Sequence, residues 1–352
     1  MTDLLALTAE LVDVPSESFA EGALVGWLET ELRSVDGLEV TRVGDNLVAR
    51  TTLGRDQRVV LAGHTDTVPE AEGNGVARIE GDTLWGLGAA DMKSGLAVML
   101  DLARTVPEPA VDVTYVFYAR EEVAAEHSGL AELVRERPDL LAGDLAILGE
   151  GTRAGVEAGC QGTLRVEVRL AGVRSHSARP WMGRNAIHRL GPLLDAVAAV
   201  PERRPVLAGC EFREALQAVK VEGGVAGNVV PDLAVLTLNH RFAPDRSIEE
   251  AVAHVRSVVD PFLEDGDGFE VVDAAPAAAP AVEHPLLARI IADHGLEVRS
   301  KLGWTDVARF AALGVPAVNI GPGDPTLAHT VDERVERAPL EACHAALAAL
   351  IG

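Results

Sequence analysis

The sequence predicts an α/β protein: a mainly parallel mixed sheet flanked by helices, with a smaller α+β domain inserted into it. Three observations carry that prediction. The runs RVVLAGH, DVTYVFYA and DLAILGE are continuously apolar, as strands buried on both faces are. They alternate with stretches whose apolar residues recur at helical spacing, GLAVMLDLARTV being the clearest. Near Gly162 the pattern changes, and TLRVEVRLAG alternates strictly like a half-exposed strand.

The elements follow in order. A helix is expected over 2–12, then a turn at Pro15 and Ser16 and a second helix over about 21–34. Strands are expected at LEVTRV, NLVARTT and RVVLAGH, and the helix GLAVMLDLARTV follows the AADMKSG turn. DVTYVFYA and DLAILGE are strands separated by a helix over about 128–135. Beyond Gly162, a strand, a helix over about 185–200, two alternating strands (LQAVKVEGG and LAVLTLNHRF) and a helix over 248–262 suggest a domain with one open sheet face. The stretch DAAPAAAPAVEHP reads as the linker back. Helices over 286–294 and 306–313, a strand at PAVNIG and a final helix from Pro339 complete the chain. The expected division is therefore 1–161 with 276–352 as one domain and 162–275 as the insert.

The bulk numbers exclude several functions. A length of 352 residues suffices for two cores. A net charge of −23 argues against nucleic acid and anionic membranes as partners, because both repel an acidic surface. Cys160, Cys210 and Cys343 are too few and too scattered for a disulfide framework, and no C-x-x-C suggests a thiolate metal site. MTDLLALTAELVDVP has early acids and no basic leader, so it reads as an amphipathic helix rather than a signal peptide. No segment approaches the roughly 20 apolar residues that cross a bilayer. A cytoplasmic location is expected.

Chemistry concentrates in five segments: His64 and Asp66 in LAGHTDTVPE, Asp91 in GLGAADMKSG, Glu121 and Glu122 in FYAREEVA, Glu150 in AILGEGT, and His329 in LAHTVDER. Imidazoles with several carboxylates are what a pair of divalent ions needs, with one carboxylate left over to move a proton. Most lie at ends of expected strands, where sites form in open α/β sheets. Asp66, two residues past His64, is placed to accept that histidine's second ring N–H and so orient it. Asp91 could bridge two ions, or cap the helix that follows. Adjacent Glu121 and Glu122 repel unless a cation or a shared proton relieves them; one can ligate while the other takes a proton from water.

Together and in this order, these segments resemble the co-catalytic zinc family that includes succinyl-diaminopimelate desuccinylase, acetylornithine deacetylase, aminoacylase and related carboxypeptidases, over nearly the whole chain. The resemblance implies a zinc-peptidase-like catalytic domain and makes the insert a lid that dimerises. It implies two divalent metal ions, zinc with cobalt as the alternative, held by His64, Asp91, Glu122, Glu150 and His329, with Asp91 bridging. It makes Glu121 the general base and Asp66 the residue that orients His64, and it implies a cis peptide at Asp91–Met92. In the insert it assigns substrate contacts to His176, Arg179, Asn228 and Arg241, and near the C-terminal return to Thr305 in KLGWTDVARF. The implied partner is a small anionic N-acyl amino acid. N-succinyl-L,L-2,6-diaminopimelate is the leading substrate, with N-acetylornithine, acyl-amino acids and dipeptides the alternatives. Arg174, Arg179, Arg184 and Arg241 suit an anion, and Arg179 or Arg184 could anchor a distal carboxylate. Three departures from the family pattern stand out: Leu87 for an arginine, Cys160–Gln161 for an arginine pair, and Trp304 for a glycine.

Overall fold

The computed structural model describes residues 2–352. They form two compact units. One holds the chain up to Ala158 with Pro280–Arg299 and Asp306–Gly352, the other Gly159–Ala279 with Ser300–Thr305.

The first unit is built on a mixed sheet in the order Glu39–Val43, Asn46–Arg50, Asp112–Tyr118, Arg58–His64, Leu145–Leu148, Ala317–Asn319, Val156–Ala158 and Val298–Ser300. The continuously apolar strands take the middle. Asp112–Tyr118, Arg58–His64, Leu145–Leu148 and Ala317–Asn319 run parallel, and the first of them is buried at every position. The outer pairs are antiparallel: Glu39–Val43 joins Asn46–Arg50 through a tight hairpin, and Asn46–Arg50 lies against Asp112–Tyr118. Register brings the carboxyl ends together, with His64 opposite Tyr118 and Ala62 opposite Leu148.

Helix Lys93–Thr105 packs against Leu4–Val12 and Arg337–Ile351 and is buried through most of its length. Its Asp101 meets His344 of the final helix at 2.8 Å. A Cβ at Gly95 would overlap the Gly149 carbonyl. Only glycine therefore lets this helix start so close to the segment carrying Glu150. Met92 takes the N-cap position without a side-chain bond, so Asp91 does not cap the helix. A small antiparallel sheet, Arg78–Glu80, Thr83–Trp85 and Arg334–Glu336, ties the C-terminal segment to the glycine-rich turn before Asp91; these short strands carry no pattern legible in the sequence.

The second unit is an antiparallel sheet in the order Ala215–Gly223, Leu233–Phe242, Gly162–Ala171, Gly268–Ala275. Helices Ala186–Ala198 and Ile248–Val259 bury Leu164, Val166, Leu190, Leu236 and Val255 against it. The fourth strand, Gly268–Ala275, corrects the linker reading, which began at Asp273. Its register shifts between Val271 and Asp273 and its side chains are largely exposed, so it shows neither regular alternation nor a core face.

Candidate metal centre

The first unit's parallel strands deliver His64, Glu121, Glu122 and Glu150, while Asp91 and His329 come from turns. His64 ends its strand, Glu121 and Glu122 follow Tyr118 by three and four residues, and Glu150 follows Leu148 by two. The structure brings all five segments together. His64 Nε2 lies 3.0 Å from Asp91 Oδ1 and 4.0 Å from Glu150 Oε1. His329 Nε2 lies 2.7 Å from Glu122 Oε1 and 3.6 Å from Asp91 Oδ2. Each of the groups His64–Asp91–Glu150, Asp91–Glu122–His329 and His64–Glu121–Glu122 has donor atoms within 4.8 Å of one another. Asp91 belongs to two of these groups, offering one oxygen toward each histidine. The Asp91–Met92 peptide is cis.

Asp66 does more than orient its neighbour. His64 Nδ1 makes its shorter contact to the Asp66 backbone carbonyl, at 3.0 Å, and stands 3.6 Å from the carboxylate. The carboxylate accepts the Glu121 N–H (2.9 Å), the Glu122 N–H (3.1 Å) and the Ser18 hydroxyl (2.8 Å). One buried carboxylate thus clamps the backbone of both glutamates beside the histidine. These bonds and His64 hold its pKa at about 2 against the opposing effect of burial.

The cluster is electrostatically unfinished. Burial raises the Glu121 carboxyl well above the ordinary range, reinforced by Glu150, Asp306 and Glu122 and opposed by His64. Burial and Asp91 raise Glu122, against His64 and His329. Burial disfavours a charged His64, yet Asp66, Asp91 and Glu150 hold its imidazole well above its usual value. His329 is raised by Glu122 and Asp91, again against burial. So many acids around two imidazoles, without a thiolate, make a nitrogen and oxygen donor set that fits divalent cations. A bound cation would relieve the repulsion that the protein otherwise absorbs by protonation.

Two residues outside the sequence assignment matter here. Glu333 is 2% exposed, and its Oε1 accepts the N–H of Ala90 at 2.9 Å and of Asp91 at 3.0 Å; burial pushes its carboxyl up to about 7. Asp306 is 1% exposed and accepts from Arg309 Nε at 2.6 Å. Its signal in the sequence is only an acid at the start of an apolar helix.

The second unit places His176, Arg179, Asn228 and Arg241 as follows. Ser175–His176 pairs with Val229–Val230, so His176 and Asn228 lie on adjoining segments. Arg179 is exposed. Arg241 is half-buried and has no ion pair among the described residues; burial and nearby Arg165 lower its pKa. Arg174 is held by Asp232 (2.8 Å) and Arg184 by Glu264, so neither presents an unopposed charge. Thr305 is buried, with Cys160 Sγ 3.8 Å from its carbonyl. Gln161 donates its side-chain amide to the Arg213 carbonyl at 2.8 Å. The Trp304 indole N–H donates to the Pro276 carbonyl at 3.2 Å. Leu87 is half-buried, its N–H bonded to the Asn74 carbonyl at 2.7 Å. Among the described residues no helix is long and apolar enough to cross a membrane.

Imidazole and carboxylate donors at parallel strand ends, with a further buried carboxylate beside them, define a metal-dependent hydrolase. Residues 60–352 match the model of Peptidase family M20/M25/M40, and the chain belongs to that family. It is 53% identical over 95% of its length to a Mycobacterium tuberculosis protein provisionally named succinyl-diaminopimelate desuccinylase DapE, covering 93% of that protein. It is 45% identical over 94% of its length to the succinyl-diaminopimelate desuccinylase of Corynebacterium glutamicum, covering 91% of it. In fold it is similar to a Staphylococcus aureus tripeptidase, with TM-score 0.80, 21% identity and coverage of 99% of this chain and 97% of that one.

Proposed function

We propose that the chain is a di-metal amide hydrolase that cleaves N-succinyl-L,L-2,6-diaminopimelate to succinate and L,L-diaminopimelate. The observation that carries the metal reading is the shared Asp91, one oxygen facing His64 and the other His329. His64, Asp91 and Glu150 would hold one ion, and Asp91, Glu122 and His329 the other. Zinc is the ion that suits this donor set, with cobalt as its substitute. When bound, such ions polarise the amide carbonyl and lower the pKa of water toward about 7.

The chain's own residues do the rest. The Asp66 carbonyl fixes the ring of His64, and the Asp66 carboxylate fixes the backbone of Glu121 and Glu122. Glu121 takes the proton of the attacking water and returns it to the amine nitrogen as the C–N bond breaks. Its half-buried, acid-crowded setting raises its basicity for that exchange.

The substrate reading is supported by the names of the relatives and by Arg241. Arg241 is half-buried without an ion pair among the described residues, and burial and Arg165 outweigh the attraction of Asp273, so its charge is costly until an anion arrives. We assign substrate contacts to Arg241, His176, Arg179, Asn228 and Thr305. The metal-loaded enzyme is expected to release succinate efficiently from N-succinyl-L,L-diaminopimelate, to act poorly on N-acetylornithine, and to lose both activities to a chelator. Measured kcat/KM values in the reverse order would overturn the substrate and leave the metal centre standing.

The second unit is also proposed to dimerise. Trp181, Met182, Val219 and Val221 are between 50% and 78% exposed, and Ala215–Gly223 is an open sheet edge. Such an edge with apolar side chains invites a second copy. Light scattering should give twice the 37.0 kDa chain mass; a fully active monomer would sink the assignment.

A further inference from the structure

Two of the ligand-bearing turns come from distant parts of the chain, and neither candidate ligand lies within a helix or strand. Asp91 stands just ahead of helix Lys93–Thr105. His329 adopts φ 61°, in a turn closed by the Thr330 N–H to the Leu327 carbonyl at 3.3 Å, and its side chain is 49% exposed. Glu333 joins the two turns. It lies four residues after His329, and one of its oxygens accepts the N–H groups of both Ala90 and Asp91. Its backbone carbonyl accepts the Gly86 N–H at 3.0 Å, and the strand that follows it pairs with Thr83–Trp85. Asn74 reinforces the join, accepting the Leu87 N–H at 2.7 Å and donating to the Thr330 carbonyl at 3.4 Å.

We propose that Glu333 is a positioning residue that latches the Asp91 turn to the His329 turn, setting the Asp91 carboxylate between the two histidines before an ion binds. The inference rests on the metal reading above. Two N–H groups of one turn converge on a single buried oxygen. Removing that oxygen leaves both donors unsatisfied and lets the turns part. Ligands held apart from their bound geometry lose affinity, as happens when outer hydrogen-bond partners of metal ligands are removed.

The test uses the full-length protein stripped of metal, with Zn²⁺ titrated by calorimetry and Co²⁺ followed by its visible absorption. Glu333→Ala should weaken Zn²⁺ binding by about 10- to 100-fold and alter the Co²⁺ spectrum. Glu333→Gln, whose amide oxygen reaches the same two N–H groups, should stay within about threefold of the wild type. Glu333→Asp keeps the charge but falls one methylene short, and should lose affinity as the alanine variant does. If the alanine variant does not fold, the order of the other two decides. An aspartate variant that binds like the wild type beside a weakened glutamine variant would show that charge and not reach matters, and would overturn the latch. Three variants that all bind like the wild type would overturn it as well. A wild type that takes up no Zn²⁺ would instead bring down the metal reading on which the latch depends.

Discussion

Replacing Glu121 with glutamine or alanine should lower kcat by about 10³- to 10⁴-fold, the upper range for losing a general acid–base group. Zn²⁺ binding should stay close to the wild type, because the two donor groups that share Asp91 do not include Glu121. Glu121 does stand with His64 and Glu122 in a third group. That makes the joint measurement informative. Turnover lost with metal retained assigns the proton transfer to Glu121. Metal lost along with turnover would exchange the roles of the two glutamates, and full turnover would remove Glu121 from the mechanism. The backbone clamp from Asp66 makes the substitution clean, since it holds residue 121 by its N–H and not by its side chain.

Metal binding should release protons. Without a cation, Glu121 and Glu122 hold protons above the ordinary carboxylate range, and His64 and His329 hold theirs above the ordinary imidazole range. A divalent ion favours the deprotonated form of each. Affinity should therefore rise with pH from the carboxylate range up through and beyond the histidine value of 6.5. Calorimetric titration at pH 7 in buffers of different ionisation enthalpy should give a slope equal to the protons released; a zero slope contradicts the assigned protonation. Chelation should abolish hydrolysis and Zn²⁺ or Co²⁺ should restore it. Metal at about 1,000 times its Kd should add about 4 kcal/mol to the folded state. An unchanged melting temperature would argue that the carboxylate cluster does not hold the ion.

Much of the site is legible in the sequence because its parts are local. A continuous apolar run ending in a metal-type side chain is one strand and its carboxyl end, and the parallel sheet then aligns such ends. Arg58–His64, Asp112–Tyr118 and Leu145–Leu148 follow that rule. The strand Gly268–Ala275 does not, since its bulge and exposed faces erase the alternation.

What the sequence by itself determined is the α/β class, the five ligand-bearing segments and the chemistry that imidazoles and carboxylates permit; periodicity and residue type are properties of short stretches. Only the tertiary structure decided which atoms meet. It turned His64 toward the Asp66 carbonyl, gave the Asp66 carboxylate to two backbone N–H groups and tied Arg184 to Glu264. It also buried Glu333 beneath the Asp91 turn, 243 residues from Ala90 in the chain. Such pairings depend on how distant segments pack, and a hydrogen bond formed across that separation leaves no periodic trace in the residues that make it.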